Sequence, residues 1–136
     1  MDPIVVLVSG TRNSLSEDQK EKIRSKFQVI ASVDKYKDRR IILVHGGCRT
    51  GVDMYVNDLA EEVGWFPVSV PAQWSIHGKK AGPIRNQQMI DVHKPHIFLG
   101  FPVKDSKGTR DCINRVIKYR ESTESRLEIY MVTSLD

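Results

Sequence analysis

Cysteine is scarce. The 136 residues contain two, Cys48 and Cys112, too few for a disulfide framework. The expectation is a reduced, cytoplasmic protein with two free thiols. No apolar run approaches the roughly 20 residues that cross a bilayer. The start, Met1-Asp2-Pro3 and a short apolar run, has no basic n-region and no cleavage site, so no signal peptide is expected. Internal repeats, low-complexity tracts and a linker are absent, which leaves one domain over residues 1–136. His45, Cys48, His77, His93 and His96 show no C-x-x-C or H-E-x-x-H spacing, so neither a metal nor a cofactor is expected. Two nucleotide signatures are missing as well. The first strand is followed by a single glycine, Gly10, not by G-x-G-x-x-G, and no G-x-x-x-x-G-K-[ST] loop occurs. The pattern is therefore not the dinucleotide fingerprint, and an ATP-hydrolysing P-loop enzyme is not expected.

What is present suits a soluble globular domain: 40% hydrophobic and 28% charged residues. Twenty-one basic against seventeen acidic residues give a formal net charge of +4. This modest excess favours a phosphorylated small molecule and is compatible with nucleic acid; a solvated surface alone would also carry it.

Short β-branched or apolar runs alternate with stretches of helical spacing. Ile4-Val5-Val6-Leu7-Val8, Ile41-Ile42-Leu43-Val44, Val68-Ser69-Val70, Ile97-Phe98-Leu99 and Ile129-Tyr130-Met131-Val132 read as strands apolar on both faces, the demand of a buried parallel sheet. Helices are expected from Ser16 to about Ala31, opened by a capping box, and from Val52 to Val63, stopped by Gly64. Two more are expected from Pro83 to about Val92 and from Thr109 to about Arg120. Ser122 to Arg126 reads as a connector, and the last residues are expected to fray. The order βαβαβαβαβ predicts an α/β, three-layer, Rossmann-like domain with a mainly parallel five-stranded sheet and helices on both faces.

In such sheets ligands bind beyond the carboxyl ends of the strands, and the unusual residues gather there. Ser9-Gly10-Thr11-Arg12-Asn13 follows the first strand, and His45-Gly46-Gly47-Cys48-Arg49-Thr50-Gly51-Val52-Asp53 the second. Pro71 to Asn86, with Trp74, Gly82 and Arg85, follows the third, and Phe101 to Arg110, with Gly108 and Thr109, the fourth. Glycines let amides approach an anion. The helix beginning near Val52 would aim its positive end at one, and Gly108-Thr109 could do the same. Arg12, Arg49, Arg85 and Arg110 could bring fork-shaped contacts to phosphate. Each loop alone could be an ordinary turn, but four on one rim point to a phosphate-bearing ligand. Trp74 could stack on a nucleobase or cover the sheet edge. Trp65 and Phe66 are read as core or as a subunit contact on the opposite rim, and Cys112 as a small core hydrophobe.

These segments, with the distinctive Ala81-Gly82-Pro83-Ile84-Arg85-Asn86-Gln87-Gln88-Met89 stretch, resemble the YspA-like branch of the SLOG superfamily, which also contains DprA/Smf proteins and LOG-type phosphoribohydrolases. The resemblance runs from the first strand to Gly108-Thr109. It implies a Rossmann-like sheet that binds a nucleotide-derived ligand. Ser9, Gly10 and Arg12 would line the first loop. Gly46, Gly47, Arg49, Gly51 and Asp53 would form a phosphate or ribose cradle. Trp74, Gly82, Arg85 and Asn86 would form a wall, and Gly108 and Thr109 a second phosphate turn. A homodimer is expected on the same ground. LOG-type enzymes look like P-G-G-x-G-T-x-x-E at the fourth loop; here the glycine pair is missing and Cys112 stands where the catalytic glutamate would be.

Three functions therefore compete. The first is binding, by sensing or sequestering, of a nucleotide-derived small molecule. The second is cleavage of an N-glycosidic bond, with Asp53 as the candidate catalytic carboxylate and Asp111 a poorer one. The third is single-stranded nucleic-acid binding, which the scattered basic residues favour least. No membrane partner is expected.

Overall fold

The alternation of side chains along the first strand organises the molecule. In the computed structural model, which describes residues 2–136, Ile4, Val6 and Val8 enter one core while Val5 and Leu7 enter another. Met1, part of the N-terminal start read above, lies outside the described residues. A strand buried on both faces must have apolar residues at every position, which is what this run supplies.

The strands are β1 (Ile4–Gly10), β2 (Ile41–His45), β3 (Phe66–Ser69), β4 (Ile97–Phe101) and β5 (Glu128–Met131). They form one sheet in the order β3-β2-β1-β4-β5, with every pairing parallel. The helices are α1 (Glu17–Ala31), α2 (Gly51–Val63), the single turn α3 (Trp74–His77), α4 (Ala81–His93) and α5 (Lys107–Thr123). One face of the sheet is covered by α1 and α2 through Ile23, Phe27, Ile30, Val52, Val56 and Leu59. The other is covered by α4 and α5 through Met89, Ile90, Cys112, Ile113 and Val116. The α/β, Rossmann-like architecture expected from the alternation is thus the one observed, and the sheet is wholly parallel. No helix among the described residues is long and apolar enough to cross a membrane.

Local signals explain the helix ends. Ser16 Oγ accepts from the Gln19 N–H at 3.1 Å and the Gln19 side chain accepts from the Ser16 N–H at 2.9 Å, a complete capping box on α1. Gly64 closes α2 with φ of 82°. Trp65 is buried and stacks on Phe27 with centroids 4.7 Å apart, whereas Phe66 is exposed on the edge strand.

Several expectations need correcting. The segment around Trp74, read as loop, forms α3 and a following 3-10 turn at Gly78–Lys80, which runs directly into α4. Helix α4 therefore begins before Pro83, which still falls in the first turn, where a missing N–H costs no intrahelical bond. Helix α5 starts at Lys107 and extends through Ser122 and Thr123, so the expected connector begins only at Glu124. The third strand starts at Phe66 and ends before Val70. The last residues do not fray. Leu135 is 1% exposed, its N–H donates to the Pro102 carbonyl at 2.7 Å, and Asp136 accepts from the Lys104 N–H at 2.9 Å.

Candidate functional site

From β1 the chain proceeds outward to β2 and β3, and β4 and β5 lie on its other side, so strand order reverses between β1 and β4. A cavity of about 430 Å³ opens there, at the carboxyl ends of the strands. This is the place that open α/β sheets reserve for ligands, and the volume lies within the roughly 300–1,000 Å³ of small-molecule sites.

The structure brings together residues from all four rim segments. Ser9, Gly10 and Arg12 come from the end of β1 and its loop, and Gly46 and Asp53 from the β2–α2 region. Trp74, Gly82, Arg85 and Asn86 come from α3 and α4, and Gly108 and Thr109 from the first turn of α5. Gly47, Arg49 and Gly51 do not line the cavity. Their segment is folded on itself. The Gly47 N–H donates to His45 Nδ1 at 3.0 Å, the Cys48 N–H to Asp53 Oδ2 at 3.1 Å, and the Val52 N–H to the Thr11 carbonyl at 3.0 Å. The expected phosphate cradle before α2 has therefore spent these donors inside the protein. Gly51 serves packing: its φ is +71°, and a Cβ there would lie 2.2 Å from the Thr11 carbonyl oxygen.

The start of α5 is different. Ser106 caps it with no side-chain bond, because its hydroxyl accepts from the Val103 N–H at 2.8 Å. The N–H groups of Gly108 and Thr109 make no hydrogen bond among the described residues, and both residues face the cavity. With Lys107 beside them, they offer donors to an anion, and the carboxylates of Asp105 and Asp111 line the cavity next to them. Sequence reading missed Lys107; its place immediately before Gly108-Thr109 was the signal. Arg110, expected at a phosphate, turns back on its own loop and donates to the Val103 carbonyl at 3.1 Å.

Arg85 is held as tightly as a core residue. Its Nη1 donates to the Gly46 carbonyl at 2.6 Å and to the Val70 carbonyl at 3.3 Å, and its Nε donates to Asn86 Oδ1 at 3.0 Å. Asn86, 3% exposed, donates in turn to the Gly108 carbonyl at 3.3 Å and to Asp111 Oδ2 at 3.0 Å. One buried amide thus ties the wall of the cavity to the first turn of α5. Burial pulls the Arg85 guanidinium below its ordinary value, against the nearby Asp53 charge.

Burial pushes the Asp53 carboxyl above the usual carboxylate range. The Cys48 N–H and the nearby His45, Arg85 and Arg12 side chains oppose this without cancelling it. At Asp111 burial acts to raise the carboxyl as well, but hydrogen bonds from Arg115 and Asn86 outweigh it and hold the group below its ordinary value. Burial pushes the Cys112 thiol up to about 12, against a hydrogen bond with Ser9. His45 has both ring nitrogens engaged, one by Gly47 and the other by Asn57 at 2.8 Å. No group of three His, Cys, Asp or Glu side chains gathers into a metal-binding set among the described residues.

Trp74, 48% exposed, forms the outer wall, and its ring edge lies 3.4 Å from where a Gly82 Cβ would stand. The Arg12 guanidinium sits over the Trp74 ring, 5.3 Å from its centroid. One face of this indole is therefore covered by a cation.

No protein-family model matches the chain, and no solved structure matches it. The chain is similar to the Gene 61 protein of Mycobacterium phage D29, being 36% identical over 87 residues, which cover 57% of this chain and 65% of the phage protein. It thus spans just under two thirds of the length of that relative.

Proposed function

We propose that the protein binds a nucleotide-derived, phosphate-bearing small molecule at the carboxyl edge of its sheet. The observation that carries this reading is a cavity at the β1/β4 reversal into which the uncapped first turn of α5 presents its amides. Two unpaired amides at the end of a 17-residue helix, with Lys107 alongside, suit a phosphate group. The resemblance of the rim segments to the YspA-like branch of the SLOG superfamily supports the same ligand class. The phosphate is assigned to Gly108 and Thr109, since Gly47, Arg49 and Gly51 lie outside the cavity and the Gly47, Cys48 and Val52 amides are engaged within the protein.

Mass spectrometry of small molecules released from freshly purified, denatured protein tests the proposal, followed by calorimetry against a nucleotide panel. The expected result is a nucleotide that rebinds with one-to-one stoichiometry. The absence of both a co-purified nucleotide and any heat of binding across the panel would reject the reading.

A second reading, cleavage of an N-glycosidic bond, is favoured by one observation. Two carboxyls, Asp53 and Asp111, line the same cavity, the first largely buried and the second held by Arg115 and Asn86. Chromatography for released base decides it: equal release by wild type and Asp53→Asn removes Asp53 from any such step.

A further inference from the structure

The loop after β1 and the single turn α3 meet at the cavity mouth, where the Arg12 guanidinium lies over the Trp74 indole. The Arg12 side is a fixed post with a free arm. Its backbone is pinned: the Thr11 N–H donates to the Phe101 carbonyl at 3.1 Å, the Thr50 hydroxyl to the Arg12 carbonyl at 2.7 Å, and the Val52 N–H to the Thr11 carbonyl at 3.0 Å. Its guanidinium makes no hydrogen bond and no ion pair among the described residues, although Asp53, Asp105 and Asp111 line the same cavity. The Trp74 side is loosely held. Every residue from 73 to 80 is exposed, and α3 buries none of its own. The turn joins the next segment through Gly78, whose φ of 59° and ψ of −135° few residues other than glycine adopt. A one-turn segment with few anchors and a glycine joint can swing at small cost.

Resting on the phosphate-binding reading above, we propose that Arg12 and Trp74 form a latch across the cavity mouth, closed in the empty protein and released when a phosphate group enters. The closed contact is weak enough to yield. An exposed cation–π pair shifts an equilibrium by only about 2- to 5-fold. Hydrogen bonds from a guanidinium to phosphate are charge-assisted and come in pairs, so they are stronger. Arg12 is free to make them, whereas Arg85 is already held on the Gly46 and Val70 carbonyls. The guanidinium thus has two seats, the indole in the empty state and the anion in the filled one. When it turns to the anion, the covered face of Trp74 opens and α3 loses its tie to the loop after β1. Capture of the anion and freeing of the indole are one event, so each favours the other.

Acrylamide quenching of Trp74 fluorescence tests the latch. Trp65→Phe leaves Trp74 as the sole tryptophan of the full chain. If that variant does not fold, the difference between wild type and Trp74→Phe isolates the same signal. The empty protein is expected to be quenched about 1.5- to 2-fold less efficiently than the same protein carrying Arg12→Gln, because the cation covers one of the two ring faces. Inorganic pyrophosphate is the anion probe, since it has no base to stack on the ring. It is expected to raise quenching to the Arg12→Gln level and to leave Arg12→Gln itself unchanged, with calorimetry on the same samples reporting whether it binds. Equal quenching of the two empty proteins overturns the latch alone, as does bound pyrophosphate that leaves quenching unchanged or raises it equally in both. Failure of pyrophosphate to bind a protein that does bind nucleotides also overturns the latch, because the anion by itself must release it. No heat from pyrophosphate or from any nucleotide overturns the phosphate-binding reading as well.

Discussion

Arg85 and Asp53 meet over the α-carbon of Gly46, so close that one methyl group on that carbon would touch both. The hydrogen-bond chain from Arg85 through Asn86 continues to Gly108 and Asp111. The two ends of the cavity are therefore mechanically joined: a shift of the guanidinium is passed through one buried amide to the first turn of α5.

Gly46→Ala tests this arrangement. The added carbon would lie 2.6 Å from Arg85 Nη1, so the guanidinium must leave its place on the Gly46 and Val70 carbonyls. The expected cost to folding is about 1–3 kcal/mol, the usual range for overpacking. Nucleotide affinity is expected to fall by at least about tenfold, since Arg85 and Asp53 both line the cavity and both move. Thermal melts and calorimetry on the same preparation separate the two effects. Unchanged affinity in a variant that melts lower would show that the space above Gly46 is not part of the site.

Asp53→Asn is expected to stabilise the empty protein near neutral pH. Burial raises the folded-state carboxyl above its unfolded value of 3.8. The native state therefore holds this proton more readily than the unfolded chain, and stability falls as pH rises through the folded value. Asparagine carries no charge to desolvate and still accepts from the Cys48 N–H. A rise in melting temperature of ~2–5 °C at pH 7 is expected, the size that about 1 kcal/mol produces in a chain of this length. The advantage should shrink below the unfolded value, where the wild-type carboxyl is protonated in both states. A variant less stable at pH 7 than at pH 3.5, relative to wild type, would contradict the sign.

The legible parts of this chain were those set by near neighbours in sequence. Ile4 to Val8 declares a strand buried on both faces, Ser16 and Gln19 declare a helix start, and Gly64 declares a stop. The location of the cavity followed from the rule for parallel sheets, and Gly10, Asp53, Arg85 and Gly108 all line it. What was not legible depended on contacts between distant segments. Whether the donors before α2 stay free depends on the Thr11 carbonyl reaching the Val52 N–H. Whether Arg110 faces a ligand depends on the carbonyls of Val103 and Lys104 taking it instead. A short polar ending likewise gives no local sign that Leu135 will find a slot.

That slot bears on the site. Leu135 is 1% exposed, its N–H holds the Pro102 carbonyl, and Asp136 holds the Lys104 N–H, so the tail braces the β4–α5 loop. Leu135→Ala is expected to cost about 2–5 kcal/mol, as for other buried leucines. Hydrogen exchange should quicken at Lys104 and Leu135 more than at Leu7 in the central strand. Uniform quickening across all three would mean that the tail contributes only to global stability.

The two cysteines offer a direct check on which face of α5 looks inward. Cys112 is fully buried, and burial pushes its thiol up to about 12. Little thiolate exists there at pH 8, and no reagent can reach it without opening the core. Cys48 is half-buried near the start of α2, with its sulfur 3.6 Å from Thr50 Oγ1. Titration with an aromatic disulfide at pH 8 should therefore modify one thiol in the folded protein and two in denaturant. Mass mapping should place the first modification on Cys48. Rapid labelling of Cys112 in the folded protein would mean that α5 does not pack as described. The α4–α5 side of the core, which Cys112 shares with Leu7 and Phe98, would then have to be redrawn.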